Sequence, residues 1–468
     1  MDQGELFQYR AYSDHPAIKI QGERLFQEFQ ESRQRKVRDK NDIASYRRWF
    51  ISALAGLYYG GAFGVNDSFV RIPLGKNHYH GKTRLSPIFR PELLTIFNWL
   101  IEHGYLKQVR PPITDEDGRW IAAGYRLTTK WLRMAQEIGD DSMHREAVET
   151  IKTNPKFRQY VVLKNSAKKE IRAKPSPQKD FTVKLLTAYD KLVERHRITF
   201  GNQVWPPLMF SLSRKYNNSS YEQGGRFYAD YQNHRSQVRL HLQIDGENVC
   251  EVDYKYLHPT LLYMMEGLDL QHDVYEIDGF SRSVVKQAFQ IMVNSQKPFP
   301  QVDSLRFYLN KEKRSKKRRG DQDWQSVRFD NAFCASLANA IAERCPEIKK
   351  HFGTGVGLKL QHTDSILVSA VLDFLLKKHP DTLVLPVHDS FLLKQRDLPK
   401  LYDALGYAAH VLKQLKEFPE RSPLLEISFM NDRRIDEYED IVKTLGNRLN
   451  FSIKEEEPLL EVKSMFLS

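Results

Sequence analysis

The chain has 468 residues, 41% of them hydrophobic, and its 71 Lys and Arg against 59 Asp and Glu leave a net charge of +12. A chain this long can bury sizeable cores in about two to four domains, and its charge suits a polyanionic partner without choosing between DNA, RNA and anionic lipid. Cys250, Cys334 and Cys345 match neither a disulfide framework nor a zinc pattern. With no basic-then-apolar leader and no apolar run long enough to span a bilayer, membrane insertion is set aside and a reducing cytoplasm is the expected home.

In chain order, residues 1–40 form a basic N-terminal segment, with Arg33, Arg35, Lys36, Arg38 and Lys40 clustered at its end. Asn41-Asp42 is the expected cap of a helix running through 47–58. A second helix is marked by Leu93, Leu94, Phe97, Leu100 and Ile101, with Pro91 suited to its first turn and Gly104 to its end. Residues 105–109, a turn at Asp117-Gly118, residues 120–127 and a helix from Thr128 complete an order that resembles the wiring of a winged-helix module over 41–145. Such modules bind duplex nucleic acid or proteins. Lys76, His78, His80, Lys82, Arg84 and Arg90, interleaved with Tyr79 and Phe89, fit nucleic acid and equally fit a solvated loop. Residues 146–180 read as a linker, since Pro175 and Pro177 disfavour regular structure. A helix from about Thr182 opens a helical region, 181–239.

Residues 240–244 turn at Asp245-Gly246 into Val249-Cys250-Glu251-Val252-Asp253, a hairpin signal. Far along the chain, the apolar run 383–387 breaks at His388-Asp389 and resumes at 391–394. If both hairpins share one sheet, Asp253 and Asp389 lie side by side. Two carboxylates so placed repel unless cations lie between them, and a Mg²⁺ pair serving phosphoryl transfer is the natural occupant. Each aspartate alone reads as a turn residue. The helix expected over 281–295 changes that, because Arg282, Lys286, Gln290 and Asn294 recur every four residues and line one face. Two cations on one stripe suit a triphosphate. Glu251 shares the strand face of Asp253 and is either an exposed strand residue, a group supporting the metal ligands from behind, or a third acidic group.

These three segments resemble motifs A, B and C of the family-A DNA polymerases and the related single-subunit phage-type RNA polymerases. The resemblance spans about 200–415. It implies an α/β right-hand polymerase, with an antiparallel palm sheet and helical fingers and thumb, behind the winged-helix-like module. The palm would occupy 240–265 and 359–420, the latter with a covering helix near 399–415, and the fingers 266–358, with a C-terminal extension over 421–468. By the same resemblance, Asp253, Asp389 and the carbonyl of Tyr254 hold two Mg²⁺, or Mn²⁺ in their place. Arg282 and Lys286 bind triphosphate, Lys286 also being a proton donor. Gly224-Gly225-Arg226 is similar to an element touching the template–primer duplex, 273–277 to a segment ahead of the fingers helix, and 360–365 to a minor-groove reader; Arg226, Gln361 and His388 would hold the template–product end.

The departures matter as much. His258 stands where DNA polymerases of the family place a sugar-gating glutamate, and Asn294-Ser295 where they place Tyr-Gly. Ribonucleotide tolerance and a primase-polymerase role in plasmid or mobile-element replication follow as expectations, with His258, Asn294 and Gln290 lining the nucleotide pocket. The partners expected are single-stranded or primed DNA template, nucleoside triphosphates and a helicase or small accessory protein. Asp115-Glu116-Asp117 sits in the expected wing turn, so no proofreading exonuclease is anticipated. A single-subunit RNA polymerase, or a nucleic-acid-binding replication or regulatory subunit with a silent palm, are the alternatives. Lys311, Lys313, Arg314, Lys316, Lys317, Arg318 and Arg319 repel one another and are expected in a mobile loop, tracking phosphates or merely solvated. The tail over 454–468 is expected to pack back on the body or dock on a partner.

Overall fold

The computed structural model describes residues 5–6, 8, 10–33, 39–59, 69–74, 91–114, 120–155, 158–201, 203–234, 236–318, 324–415 and 425–428. The loop with Lys76 to Arg90, the turn at Asp117-Gly118, Arg35 to Arg38, Arg319 and the tail lie outside them. The protein is a mixed α/β chain with several largely antiparallel sheets.

The N-terminal part comprises β1 (Glu5–Leu6), α1 (Pro16–Ser32), α2 (Lys40–Tyr59), β2 (Val70–Arg71), α3 (Pro91–Glu102), β3 (Leu106–Arg110), β4 (Gly124–Leu127), α4 (Thr129–Ile138) and α5 (Asp141–Glu149). Its sheet runs β1-β2-β4-β3. Leu93, Ile96, Phe97 and Leu100 bury the inner face of α3, as their spacing requires. The cap of α2 is Asp39, not Asn41-Asp42: its carboxylate accepts from the amides of Asn41 at 2.8 Å and Asp42 at 3.2 Å. An Asp just outside the helix reaches the orphan amides that residues inside it cannot.

The expected linker is structured. β5 (Val161–Lys164) and β6 (Glu170–Ile171) pair as a hairpin, and α6 (Pro177–Val193) begins five residues before Thr182. Ser176 caps α6, its hydroxyl accepting from the Lys179 amide at 3.1 Å. Pro177 thus opens the helix, where its missing N–H costs nothing. The interval expected to be helical past α6 instead holds β7 (Ile198–Phe200), β8 (Gln203–Trp205), β9 (Ser213–Tyr216) and β10 (Gly224–Tyr228). β9 and β10 extend the earlier hairpin into the sheet β6-β5-β9-β10. Tyr216 and Phe227, both almost wholly buried, supply the aromatic content that favours strand here.

The largest sheet joins β7 and β8 to β11 (Leu242–Ile244), β12 (Glu247–Tyr254), β13 (Val384–Val387), β14 (Ser390–Lys394) and β15 (Leu425–Ser428). Its order is β8-β7-β11-β12-β14-β13, with β15 pairing the end of β12. Asp245 (φ 55°) and Gly246 (φ 79°) make the turn between β11 and β12, the paired positive φ values that a tight two-residue hairpin needs. Helices α7 (Leu257–Met265), α8 (Arg282–Asn294), α9 (Val302–Arg318), α10 (Asn331–Arg344), α11 (Gly357–Lys378) and α12 (Leu398–Lys413) share the extensive core of this part. The basic run expected to loop out instead continues α9 through Arg318. Lys313 Nζ donates to the Val327 carbonyl at 2.7 Å and Lys316 lies over the Trp324 ring at 5.8 Å, which draws two of the repelling charges apart onto neighbouring chain. Among the described residues no helix is long and apolar enough to cross a membrane.

Candidate nucleotide site

Register places the two aspartates. β12 and β14 run antiparallel with Asp253 opposite Ser390, and Asp389 is the residue before Ser390, in the two-residue turn between β13 and β14. His388 precedes it at φ 59°, a conformation that strains a non-glycine residue. The strand leading into the turn is held along its outer edge. Gln232 Nε2 donates to the Pro386 carbonyl at 2.7 Å, where the Tyr231 hydroxyl also donates, and the Tyr189 hydroxyl reaches the Val384 carbonyl at 3.0 Å.

Asp253 is exposed and Asp389 half-buried. Neither has an ion pair with a described side chain. Burial, then the Asp389 charge, then Glu251, push the Asp253 carboxyl up to about 7, while Lys286 pulls the other way. Two acidic groups brought together near the strand ends are what the two hairpins create. Tyr254 is buried, with its ring edge against Phe391.

Glu251 is neither exposed nor part of that open edge. It is buried, and its carboxylate accepts from Arg239 Nη2 at 2.9 Å, the Ser390 hydroxyl at 2.6 Å and the Ser236 hydroxyl at 3.1 Å. The pleat does send it to the same side as Asp253, but Arg239 meets it there and neutralises it. The result fastens β12 to β14 just below the aspartates.

Arg282, Lys286, Gln290 and Asn294 are all exposed along one face of α8, while Val284, Val285, Ala288, Phe289 and Met292 are buried on the other. Of this face, Lys286 acts electrostatically on the Asp253 carboxyl. Arg282 is oriented: Nε donates to Asp273 at 2.9 Å, Nη2 to the Tyr256 hydroxyl at 2.9 Å, and that hydroxyl to Asp273 at 2.6 Å. Asn294 abuts Gly357, where an added Cβ would come within 2.1 Å of its Oδ1.

A second acidic centre, Asp364, was passed over in the sequence because it sits inside an apolar helix. On α11 it is fully buried, and Arg226 Nε donates to its Oδ2 at 2.7 Å, with a further bond from Nη2. His258 Nε2 lies 3.1 Å from the same oxygen and 3.0 Å from Arg226 Nη2. Arg226 and His258 therefore belong to one unit. Asp364 Oδ1 and His388 Nδ1 are buried with no hydrogen-bond partner. Burial, then Arg226, lowers the pKa of His388, whose ring stands edge-on to Tyr228 at 5.3 Å. Gln361 is half-buried in the second turn of α11. Beneath lies Arg214, fully buried, donating to the Gly225 carbonyl at 2.7 Å and Ser365 Oγ at 2.9 Å. Gly225 (φ 85°) permits this approach, since a Cβ there would meet Ser365 Oγ at 2.9 Å.

The donor set fits a hard divalent cation in part. Carboxylate oxygens are the ligands Mg²⁺ prefers, and Asp253 and Asp389 offer them uncompensated. No group of three or more His, Cys, Asp or Glu that could hold a metal occurs among the described residues, so the remaining ligands would be backbone oxygen, water and phosphate, as is usual for Mg²⁺ at phosphate sites.

No family model and no curated protein matches the sequence. Among solved structures, the POL domain of Pol1 from M. smegmatis, in complex with DNA primer-template and dNTP, aligns with 89% of this chain at 11% identity and a TM-score of 0.27. The match covers 66% of that chain, just under two thirds of its length, and agreement this low does not establish a common fold.

Proposed function

We propose that the protein is a template-directed nucleotidyltransferase that extends a 3′-hydroxyl with nucleoside triphosphates. The observation that carries this reading is the carboxylate pair, Asp253 and Asp389, at the ends of adjacent strands, with Lys286 of α8 acting electrostatically on Asp253. A structural acid would have a cation of its own, as Glu251 and Asp364 do.

In the proposed reaction the 3′-oxygen forms a bond to the α-phosphorus, the bond from that phosphorus to the bridging oxygen of pyrophosphate breaks, and the hydroxyl proton passes to water. Asp253, Asp389 and the Tyr254 carbonyl would hold Mg²⁺, which when bound supplies positive charge for the attacking and leaving oxygens. Arg282, pre-oriented by Asp273 and Tyr256, meets the β- and γ-phosphates. Lys286, one turn nearer the aspartates, delivers a proton to the departing pyrophosphate. The strained His388 turn fixes Asp389 against Asp253, which limits reorganisation when charge moves. Arg226, Gln361 and His388 flank the template–product end. His258 and Asn294, with Gln290, stand at the sugar in place of a closing carboxylate, and ribonucleotides are accepted on that account. Priming and a mobile-element setting extend the same reading.

The test supplies NTPs and dNTPs separately to primed and unprimed single-stranded templates. Extension by wild type, abolished by Asp389→Asn with template binding retained, supports the enzyme. Binding without incorporation on any template would leave a nucleic-acid-binding subunit with a silent site. Products from NTPs alone on unprimed template would point to RNA synthesis.

A further inference from the structure

Helix α9 turns Leu305 and Leu309 wholly inward, yet Phe307 is 65% exposed and Tyr308 50%. No other large hydrophobic residue among those described is as exposed as Phe307. The two rings meet edge to face at 5.1 Å. Lys311 and Arg314, four and seven residues beyond Phe307, are exposed on its side of the helix. The helix thus shows water a pair of aromatic faces followed by two cations, about 10 Å of surface at 1.5 Å per residue.

Where this surface lies is fixed by two contacts with α8. Ser304 Oγ lies 3.5 Å from Ser295 Oγ at the end of α8, and Trp324, under Lys316, donates its indole N–H to Ser283 Oγ at 3.0 Å near the start. The helices are therefore antiparallel, and the basic end of α9 lies toward Arg282.

We propose that this outer face of α9 is a binding site for single-stranded nucleic acid. Phe307 and Tyr308 stack on bases, and Lys311 and Arg314 take the phosphates that follow. A single strand is the occupant because the surface pairs aromatic faces with positive charge; a duplex hides its base faces, and an apolar protein surface would not offset the cations. The proposal rests on the nucleic-acid-binding part of the reading above and needs no nucleotidyl transfer.

The probe is a fluorescein-labelled 20-nucleotide oligo-dT, titrated against the full chain without nucleotide or divalent cation, at several salt concentrations. Phe307→Ala with Tyr308→Ala is expected to weaken binding at least tenfold while leaving the salt slope unchanged. Lys311→Ala with Arg314→Ala is expected to flatten the slope of log K against log salt by about 0.7 for each cation removed. Phe307→Trp adds a reporter whose emission falls when oligo-dT binds. Wild-type affinity in the alanine pairs would overturn the proposal. So would an equal loss on blunt duplex, or loss of self-association instead of oligo-dT binding. If wild type incorporates no nucleotide but the ring pair still governs oligo-dT affinity, the enzyme reading fails and this one stands.

Discussion

Asp364 and the Asp253–Asp389 pair are acidic centres on neighbouring elements, bridged electrostatically by Arg226, yet they are built in opposite ways. Asp364 is wholly buried and closed by Arg226 and His258, whereas in the pair Asp253 is exposed and Asp389 half-buried near the ends of their strands, and neither has an ion pair with any described side chain. Burying a carboxylate without a cation is costly, so the first centre had to be matched internally. The second has no ion pair of its own, and burial with mutual repulsion raises the Asp253 carboxyl to about 7 instead. A carboxylate with its own cation supports the fold; one without is available for chemistry.

The sharpest way to break this comparison is Asp389→Asn. It should lower nucleotide incorporation about 1,000-fold or more while leaving the denaturant midpoint in metal-free buffer unchanged or raised, since a repulsion is relieved. A lowered midpoint would show that Asp389 supports the fold instead.

Asp364→Ala should do the reverse, leaving the half-buried Arg226 without its carboxylate at a cost of about 3 kcal/mol in urea unfolding. Asp364→Asn keeps an acceptor and should cost less. Equal, small losses from both would mean that the network adds little.

His362 probes the same region by pH. Burial first, then Arg214, pushes its pKa down to about 3. The unfolded chain binds the proton more readily, so stability is complete above about pH 6.5 and falls as pH drops toward 3, by up to about 1.4 kcal/mol per unit. His362→Gln should flatten that slope between pH 6.5 and 4.5. An unaltered slope would assign the acid sensitivity to other groups.

The smallest expected effect concerns the carboxylate pair in its resting state. At pH 8, added Mg²⁺ should stabilise wild type by about 1 kcal/mol in thermal unfolding and leave Asp253→Asn unmoved. Equal shifts in both would place the cation elsewhere.

Much of this arrangement could be read from residues, and the failures share a cause. The exposed stripe on α8 follows from four-residue spacing, and the Asp245-Gly246 turn from its own backbone chemistry. Proline misled over 165–180, because composition does not say whether Pro177 breaks a helix or opens one; Ser176 beside it was the missed signal. The basic run reads as a loop because its repulsion is visible in sequence, while the Val327 carbonyl and Trp324 ring that relieve it are not. The burial of Glu251 and the pairing of Asp364 were not legible for the same reason, since each finds its arginine through tertiary contact.

By itself the sequence determined the local matters: hairpin turns, helix faces, and a net charge suited to a polyanion, all set by neighbours within a few residues. Only the tertiary structure decided which acids are compensated. Whether a carboxylate is buried against a guanidinium or left facing water depends on elements brought together from distant parts of the chain, and electrostatic cost is settled by that surrounding medium.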